Sequence, residues 1–328
     1  MQRREFFALV GGAVLAWPLS ARAQQARKIY RIGLLSAGSA IGPLDERNKS
    51  FKATLAQRGF AVGDNVVLEE RWADGQLDRL NGLAAELKAA KVDVIVTFGY
   101  PAAFAAKISA SETPTVISGA GDPVASGLVE GLSRPGGRLT GVTELSTELS
   151  AKRLEILRDA VPDLHLVAML WNVADLGMTL RYRAAEDAAR VLGIKVQTLG
   201  VREPNDFEHA FTEMTRERPD AVLMVSDALT ILNRKRVVEF AVANRLPTIF
   251  ENSTLVREGG LMSYGPQQSA IGERVADLVA RILRGARPAD LPLELPTRFE
   301  FFVNLKTAKA LGMTLPPTVV ARADEVIE

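Results

Sequence analysis

The chain has 328 residues, 47% of them hydrophobic and 24% charged, with 40 Lys and Arg against 39 Asp and Glu. This length makes about two ordinary domains, which fold without disulfides or structural metals. The balanced charge argues against nucleic acid or an anionic membrane as a partner. Because cysteine is absent and His165 and His209 are the only histidines, thiol chemistry and Cys-rich or His-rich metal sites are excluded. The sequence predicts no metal and no cofactor.

The first 23 residues have the pattern of a cleaved export signal. Arg3 and Arg4 precede an apolar stretch from Ala8 to Trp17, and the small-residue site Ala21-Arg22-Ala23 follows. The stretch is too short to span a bilayer comfortably, and no later segment reaches 18 apolar residues. The pattern predicts that residues 1–23 are removed and that the mature protein is periplasmic. The arginine pair favours a twin-arginine route, with a Sec signal as the alternative.

After residue 28, short apolar runs alternate with helical patterns. The runs predict strands at 29–35, 66–72, 92–98, 115–118, 139–142, 166–171, 195–201, 221–225, 247–250 and 261–264. Most runs are nearly continuous, as in parallel strands that are covered on both faces, and crossover helices fit between them. Leu80, Leu83 and Leu87 show the helical spacing of apolar residues that supports those helices. The chain is therefore predicted to be an α/β protein.

The order of strands and helices in residues 28–99 recurs in residues 165–227. This repetition predicts two doubly wound lobes. Open parallel sheets bind ligands at the carboxyl ends of their strands, so the predicted site is a cleft between the lobes.

Polar and aromatic residues follow nearly every predicted strand. The residues predicted to line the cleft are Ser36, Tyr100, Pro101, Asp122, Glu144, Trp171, Asn172, Ser226, Asp227, Glu251 and Tyr264. Ser36 and the backbone amides near Tyr100 and Pro101, where a helix begins, suit a ligand carboxylate, because unpaired N–H groups favour an anion.

The acidic and aromatic members of this set suit the rest of an amino acid. Asp122, Asp227 and Glu251 can bind an ammonium group. The aromatic rings of Tyr100, Trp171 and Tyr264 can pack against an apolar ligand side chain. The combination predicts a small carboxylate-bearing ligand such as an amino acid.

The same residues also have ordinary structural interpretations. Ser36, Ser226 and Asp227 suit helix N-caps, each worth about 1 kcal/mol without any ligand. Asp122 lies in a Gly-Asp-Pro turn sequence, and Trp171 suits a core position at the end of an apolar strand. Phosphate-loop, nucleophile-elbow, zinc-protease and dinucleotide motifs are all missing. The sequence therefore favours a binding protein over an enzyme.

Several segments, in order along the chain, resemble the ABC transporter substrate-binding protein family often called TrpX-like. They are Ile32–Ser39, Arg71–Leu80, Val92–Val96, Gly121–Val124, Arg134–Gly137, Glu148–Glu155, Leu261–Pro266, Asn304–Gly312 and Arg322–Glu328. The resemblance covers essentially all of the chain after the export signal. It implies a type I periplasmic binding protein fold, in which two Rossmann-like lobes joined by hinge crossovers close on a ligand. The lobe segments expected for this fold are 28–142 and 267–295 for lobe 1, and 143–266 and 296–328 for lobe 2.

The resemblance also implies a role and a pocket. The better-understood relatives resemble amino-acid binders that work with a membrane permease and an ATPase, so a solute-binding protein of an ABC importer is expected. The implied pocket residues are Ser36, Tyr100, Asp122, Trp171, Asn172, Ser226, Asp227 and Tyr264. Two positions depart from the family pattern: Tyr100 replaces a common small hydroxyl residue and Val173 a common proline. Because these two residues could change the shape of the pocket, the identity of the ligand is not inferred from the relatives.

Three alternatives stay open at this point. The first is an exported sensory protein that reports ligand binding to a membrane receptor. The second is an exported α/β enzyme that acts on a small carboxylate, with Asp122 or Asp227 as its titratable group. The third is a sugar ligand, for which Asn172, Asn252 and Trp171 supply planar polar groups and a stacking face.

Overall fold

A computed structural model describes residues 28–40 and 45–328. The predicted export signal, with its arginine pair, lies outside the described residues. In the part of the chain that the structure describes, no helix is both long and apolar enough to cross a membrane.

Strands and helices alternate along most of the chain. The strands are β1 (Tyr30–Ser36), β2 (Val66–Trp72), β3 (Val94–Phe98), β4 (Thr115–Ser118), β5 (Leu139–Val142), β6 (Leu166–Asn172), β7 (Lys195–Val201), β8 (Ala221–Met224), β9 (Thr248–Phe250), β10 (Met262–Pro266), β11 (Phe299–Asn304) and β12 (Glu325–Ile327). The helices are α1 (Asp45–Gln57), α2 (Leu80–Ala89), α3 (Tyr100–Ser109), α4 (Ser146–Ala160), α5 (Leu176–Val191), α6 (Asp206–Arg216), α7 (Ala228–Leu232), α8 (Arg234–Ala243), α9 (Ser253–Arg257), α10 (Gln268–Leu283), α11 (Leu305–Leu311) and α12 (Pro317–Val320).

Two sheets form the centres of two lobes. Lobe 1 has a five-stranded parallel sheet in the order β2-β1-β3-β4-β5, and lobe 2 has a seven-stranded sheet in the order β12-β11-β10-β9-β8-β6-β7. β3, β4 and β5 are buried along their whole length, because helices cover both faces of the sheet. The predicted fold, an α/β protein with two doubly wound lobes, is confirmed.

Lobe 2 differs from the prediction at one side of its sheet. β11 and β12 fall outside the predicted runs, and β11 is antiparallel to β10 with Pro266 opposite Phe299. The chain leaves β10 at its carboxyl end, forms α10 against α1 in lobe 1, and returns to the same end of the sheet. A strand that enters there must run opposite to β10.

The connections between the lobes are hydrogen-bonded to one another. Thr143 N donates to Glu294 O at 2.9 Å, and Glu294 N donates to Gly141 O at 2.8 Å. At the third connection, Gln267 N donates to Arg298 O at 3.0 Å. These bonds fix the paths by which the chain passes between the sheets. The division at residues 142/143, 266/267 and 295/296 stays a prediction.

Helices α1 and α10 pack closely at Gly272. A Cβ atom placed on Gly272 would lie 2.2 Å from Arg47 O, a backbone atom that cannot rotate away. We expect Gly272→Ala to lower the free energy of unfolding by about 1–3 kcal/mol, as overpacking of a tight contact does. The measurement is the midpoint of urea unfolding followed by circular dichroism.

Gly82 in α2 is the matched control for this substitution. A Cβ atom on Gly82 would meet nothing within 4 Å. Gly82→Ala is expected to raise stability by roughly 0.5–1 kcal/mol, because alanine has the higher helix propensity. Equal effects at the two positions would show that the α1–α10 contact is looser than described.

Candidate ligand-binding site

A cavity of about 160 Å³ lies between the lobes at the carboxyl ends of the two sheets. Because each atom of about the size of a water molecule needs about 10–15 Å³, the cavity holds on the order of ten non-hydrogen ligand atoms. Lobe 1 contributes residues that follow β1, β3 and β4, and lobe 2 contributes residues that follow β6, β8 and β9. The cavity is therefore at the place where doubly wound lobes bind their ligands.

The lobes touch each other around this cavity. Arg257 Nη1 of lobe 2 lies 2.8 Å from Glu46 Oε1 of lobe 1. A Cβ atom placed on Gly177 would lie 3.0 Å from Tyr100 Cβ, across the boundary between α5 and α3. The structure thus has the lobes closed over the cavity.

Part of the set predicted from the sequence lines the cavity. These residues are Ser36, Pro101, Glu144, Ser226, Asp227 and Glu251. Ser36 Oγ accepts a hydrogen bond from Gly38 N at 3.0 Å, which leaves its hydroxyl hydrogen available to a ligand. Contact of these residues with a ligand stays a prediction.

The aromatic residues predicted for the cleft pack elsewhere. Trp171 stacks on Tyr182 with ring centroids 3.7 Å apart. Val167 and Met169 lie on the same face of β6 as Trp171 and belong to the same core cluster, because side chains two apart in a strand share a face. Tyr264 stacks on Phe299 with ring centroids 6.4 Å apart.

Tyr100 occupies an apolar cluster in lobe 1. It packs with Ile117 and Leu128, and its ring stacks on Phe104 with centroids 5.7 Å apart. Burial and the nearby charge of Asp175 raise the pKa of Tyr100. The Tyr100 ring, which replaces the small hydroxyl residue common in the family, therefore packs inside lobe 1 beside the cavity. Gly99 and Pro101 line the cavity wall instead.

Two predicted polar residues stabilise loops outside the cavity wall. Asp122 Oδ1 accepts hydrogen bonds from Val124 N and Ala125 N at 3.0 and 2.9 Å. Asn172 Oδ1 accepts from Ala174 N at 2.9 Å, and its Nδ2 donates to Asp227 Oδ2 at 2.6 Å. Asn172 thus acts on the cavity through Asp227.

A buried chain of ion pairs forms the most polar part of the wall. Glu144 lies 2.6 Å from Arg47 and 3.0 Å from Arg181. Glu251 lies 2.9 Å from Arg181 and 3.1 Å from Arg153. The arginine side chains are only 6%, 2% and 1% exposed at Arg47, Arg181 and Arg153. This chain links α1 of lobe 1 to α4 and α5 of lobe 2.

The arginines keep Glu144 ionised. Burial raises the pKa of Glu144, but the charges of Arg47 and Arg181 more than offset this effect and hold the pKa below its ordinary value. Arg47 also donates to Ser118 O at 3.0 Å and to Gln268. The negative charges of Glu144 and Glu251 are therefore each balanced by two arginines of the protein.

Sequence reasoning missed these arginines. Arg47, Arg153 and Arg181 lie within helices, where an arginine is usually a solvated surface residue. The sequence holds no signal that separates a buried arginine from an exposed one. Their acidic partners stand far away in the sequence, after β5 and β9.

Two further carboxylates line the cavity from lobe 2. Asp175 is the N-cap of α5 and accepts from Gly177 N at 2.8 Å. Asp227 is the N-cap of α7 and accepts from Thr230 N at 2.9 Å. Burial raises the pKa of both groups, and that of Asp175 reaches about 7. The described residues contain no cluster of three or more acidic or histidine side chains that could hold a metal ion.

An apolar wall completes the cavity. Leu77, Phe98, Ile231 and Leu232 line it, and Leu77 of lobe 1 and Ala228 of lobe 2 both pack against the same core cluster of lobe 1. Phe98 stacks on Trp72 with ring centroids 6.3 Å apart, which fixes its position. The cavity therefore suits a small ligand that has both charged and apolar parts.

Comparison with known proteins gives consistent results. A family model described as ABC transporter substrate binding protein matches residues 41–327. A tyrosine-binding protein from Clostridioides difficile (strain R20291) is 25% identical over 271 residues, which cover 82% of this chain and 77% of that protein.

Solved structures show the same fold. An ABC domain in complex with L-Trp from Streptococcus pneumonia gives a TM-score of 0.84 at 25% identity, covering 92% of this chain and 100% of that one. A conserved domain protein from Vibrio cholerae gives 0.86 at 23% identity, covering 91% and 100%. Because the family model spans residues 41–327, this protein belongs to the ABC transporter substrate binding protein family.

Proposed function

We propose that the protein is the solute-binding component of an ABC importer and captures an amino acid in the cavity between its lobes. The observation that carries this proposal is the small closed cavity, whose wall combines cationic, anionic and apolar groups from both lobes. The relatives named for tyrosine binding and for an L-Trp complex support an amino acid as the ligand.

The ligand carboxylate has two sets of donors at the wall. Ser36 and the first amides of α3 belong to lobe 1, and a helix N-terminus favours an anion. Arg181 Nε and Ser226 Oγ are buried and have no hydrogen-bond partner among the described residues. A carboxylate that enters the cavity would satisfy such donors, since an unpaired buried polar group costs about 1–3 kcal/mol. Leu77, Phe98 and Ile231 would contact the ligand side chain.

Capture proceeds by closure of the lobes. Ligand contacts with both lobes exist together only when the lobes are closed, so the ligand shifts the population toward that form. Micromolar affinity requires about 8 kcal/mol of net binding free energy. The closed form then docks on a membrane permease. In this proposal residues 1–23 direct export, and the mature protein acts in the periplasm.

A second candidate, an enzyme acting on the same ligand, is favoured by one observation. The pKa of Asp175 is about 7, which suits a general base near neutral pH. No histidine lines the described cavity. Prolonged incubation with a bound ligand separates the two functions, because only an enzyme converts the ligand to product.

A thermal-shift screen of residues 24–328 tests the proposed function. The panel contains the proteinogenic amino acids, amine-free carboxylates and sugars. A ligand at a hundredfold its Kd adds about 2.7 kcal/mol to the free energy of unfolding, which raises Tm by several degrees. We expect the shift to be confined to amino acids. A shift with sugars alone, or none with any amino acid, would refute the proposal.

A further inference from the structure

Asp175 uses only one of its two carboxylate oxygens in the fold. Oδ1 accepts from Gly177 N at 2.8 Å and from Met178 N at 3.3 Å. Oδ2 forms no hydrogen bond or ion pair with any described residue, although Asp175 is only 3% exposed. The residue lines the cavity. A carboxylate oxygen that has no hydrogen-bond partner, in a residue that lines the cavity, is thus available to a ligand.

The other acidic residues of the wall are already occupied. Glu144 and Glu251 each contact two arginines. Asp227 Oδ1 accepts from Thr230 N, and its Oδ2 accepts from Asn172 Nδ2. Among the four described acids at the cavity, Asp175 alone has an oxygen without a protein partner.

The charges around Asp175 favour a cation beside its carboxylate. The guanidinium whose charge acts on Asp175, that of Arg181, has both Nη atoms engaged with Glu144 and Glu251. A buried carboxylate is costly unless a cation pairs with it, and N–H donors on a charged nitrogen make the stronger hydrogen bonds. The geometry points to Asp175 as the principal residue that binds a ligand ammonium group, so that the ligand is a primary amine. This inference rests on the proposed function, since it places an amino acid in the cavity.

The surroundings of Asp175 make this binding depend on pH. Burial raises the pKa of Asp175 to about 7, the charge of Asp227 acts in the same direction, and Arg181 opposes it. Tyr100 on α3 is the other titratable group that interacts with it. An ammonium group favours the ionised carboxylate, so binding below about pH 7 releases a proton from Asp175. Affinity should therefore fall as the pH decreases through 7.

Calorimetric titration of residues 24–328 tests the inference. The probes are the proteinogenic amino acids, L-tyrosine and L-tryptophan included, each paired with the carboxylic acid that lacks the amino group. Asp175→Asn keeps the Oδ1 acceptor that caps α5 and removes the charge. We expect it to weaken amino-acid binding roughly 10- to 100-fold at about pH 8, the range for a charged hydrogen bond. The amine-free acids should not bind.

Asp220→Asn is the matched control. Asp220 precedes β8, at the end of the sheet opposite the cavity, and asparagine keeps the acceptor for His165 N and Leu166 N. This variant should bind the amino acid as the wild type does. Titrations in buffers of different ionisation enthalpy should show close to one proton released per ligand at about pH 6 from the wild type and none from Asp175→Asn.

Thermal unfolding without ligand checks that the variant is folded. The raised pKa of Asp175 means that ionisation opposes folding, and this cost is largest above pH 7. Asp175→Asn should therefore have a higher Tm than the wild type at about pH 8, and the difference should shrink toward pH 5.

The possible outcomes separate the two proposals. An amino acid that binds the wild type and Asp175→Asn equally well would overturn the ammonium site and leave the proposed function intact. Equal binding of an amino acid and its amine-free acid would do the same. Failure of every amino acid to bind would overturn both.

Discussion

Arg181→Met is expected to destabilise the protein by about 3–5 kcal/mol and to lower its Tm by on the order of 10 °C. Arg181 lies between Glu144 and Glu251, at 3.0 and 2.9 Å, with its side chain 2% exposed. Its removal leaves two buried carboxylates with one arginine each. The cost comes from those carboxylates, because an uncompensated buried charge is more costly than the lost pair. Thermal unfolding followed by circular dichroism measures it.

Arg234→Met is the control for this prediction. Arg234 also makes two contacts with a carboxylate, at 2.6 and 3.0 Å from Glu258. Its side chain is 25% exposed and that of Glu258 is 38% exposed, so the pair is partly solvated. We expect a loss of no more than about 1 kcal/mol. Similar losses at Arg181 and Arg234 would show that the ion-pair chain at the cavity is solvated.

Ala228→Trp is expected to weaken ligand binding roughly 10- to 100-fold without destabilising either lobe. Ala228 begins α7, and its Cβ lies 4.0 Å from the position that a Cβ on Gly38 would occupy. An indole ring between Ala228 and Gly38 would overpack the closed form only, since the gap exists between lobes. Calorimetry measures the affinity, and small-angle X-ray scattering should show a larger radius of gyration with ligand present than for the wild type.

Val191→Trp controls for the added aromatic group. Val191 is 87% exposed at the end of α5, so a tryptophan there contacts neither lobe boundary nor cavity. Its affinity should equal that of the wild type. If Ala228→Trp also binds normally, the ligand does not require the closed arrangement.

The sequence predicted the fold because its signals are local. The continuous apolar runs at β3, β4 and β6 mark strands that are buried on both faces. β11 and β12 lay outside the predicted runs, because β12 has only three residues, none of them fully buried, and β11 follows a crossover. The antiparallel pairing of β10 and β11 depends on the path of α10 through lobe 1, which no local pattern encodes.

The site was predicted less completely, since its residues depend on distant packing. Ser36 and Asp227 line the cavity because carboxyl ends of parallel strands converge, a rule that applies to any such sheet. Trp171 packs in a core cluster, the alternative that the sequence left open, because the direction of a side chain depends on which face of β6 it occupies. Asp175 could have been found from its position before α5, where an aspartate suits an N-cap. That signal indicates a cap, and the unpaired second oxygen is visible only in three dimensions.

The central claim is that a ligand bearing an ammonium group binds between the lobes. The most direct test is a crystal structure of residues 24–328 with the amino acid that gives the largest thermal shift. The account predicts that the ligand occupies the cavity between closed lobes, with its ammonium group within hydrogen-bond distance of Asp175 Oδ2. A ligand bound outside this cavity, or one whose ammonium group does not contact Asp175, would contradict it.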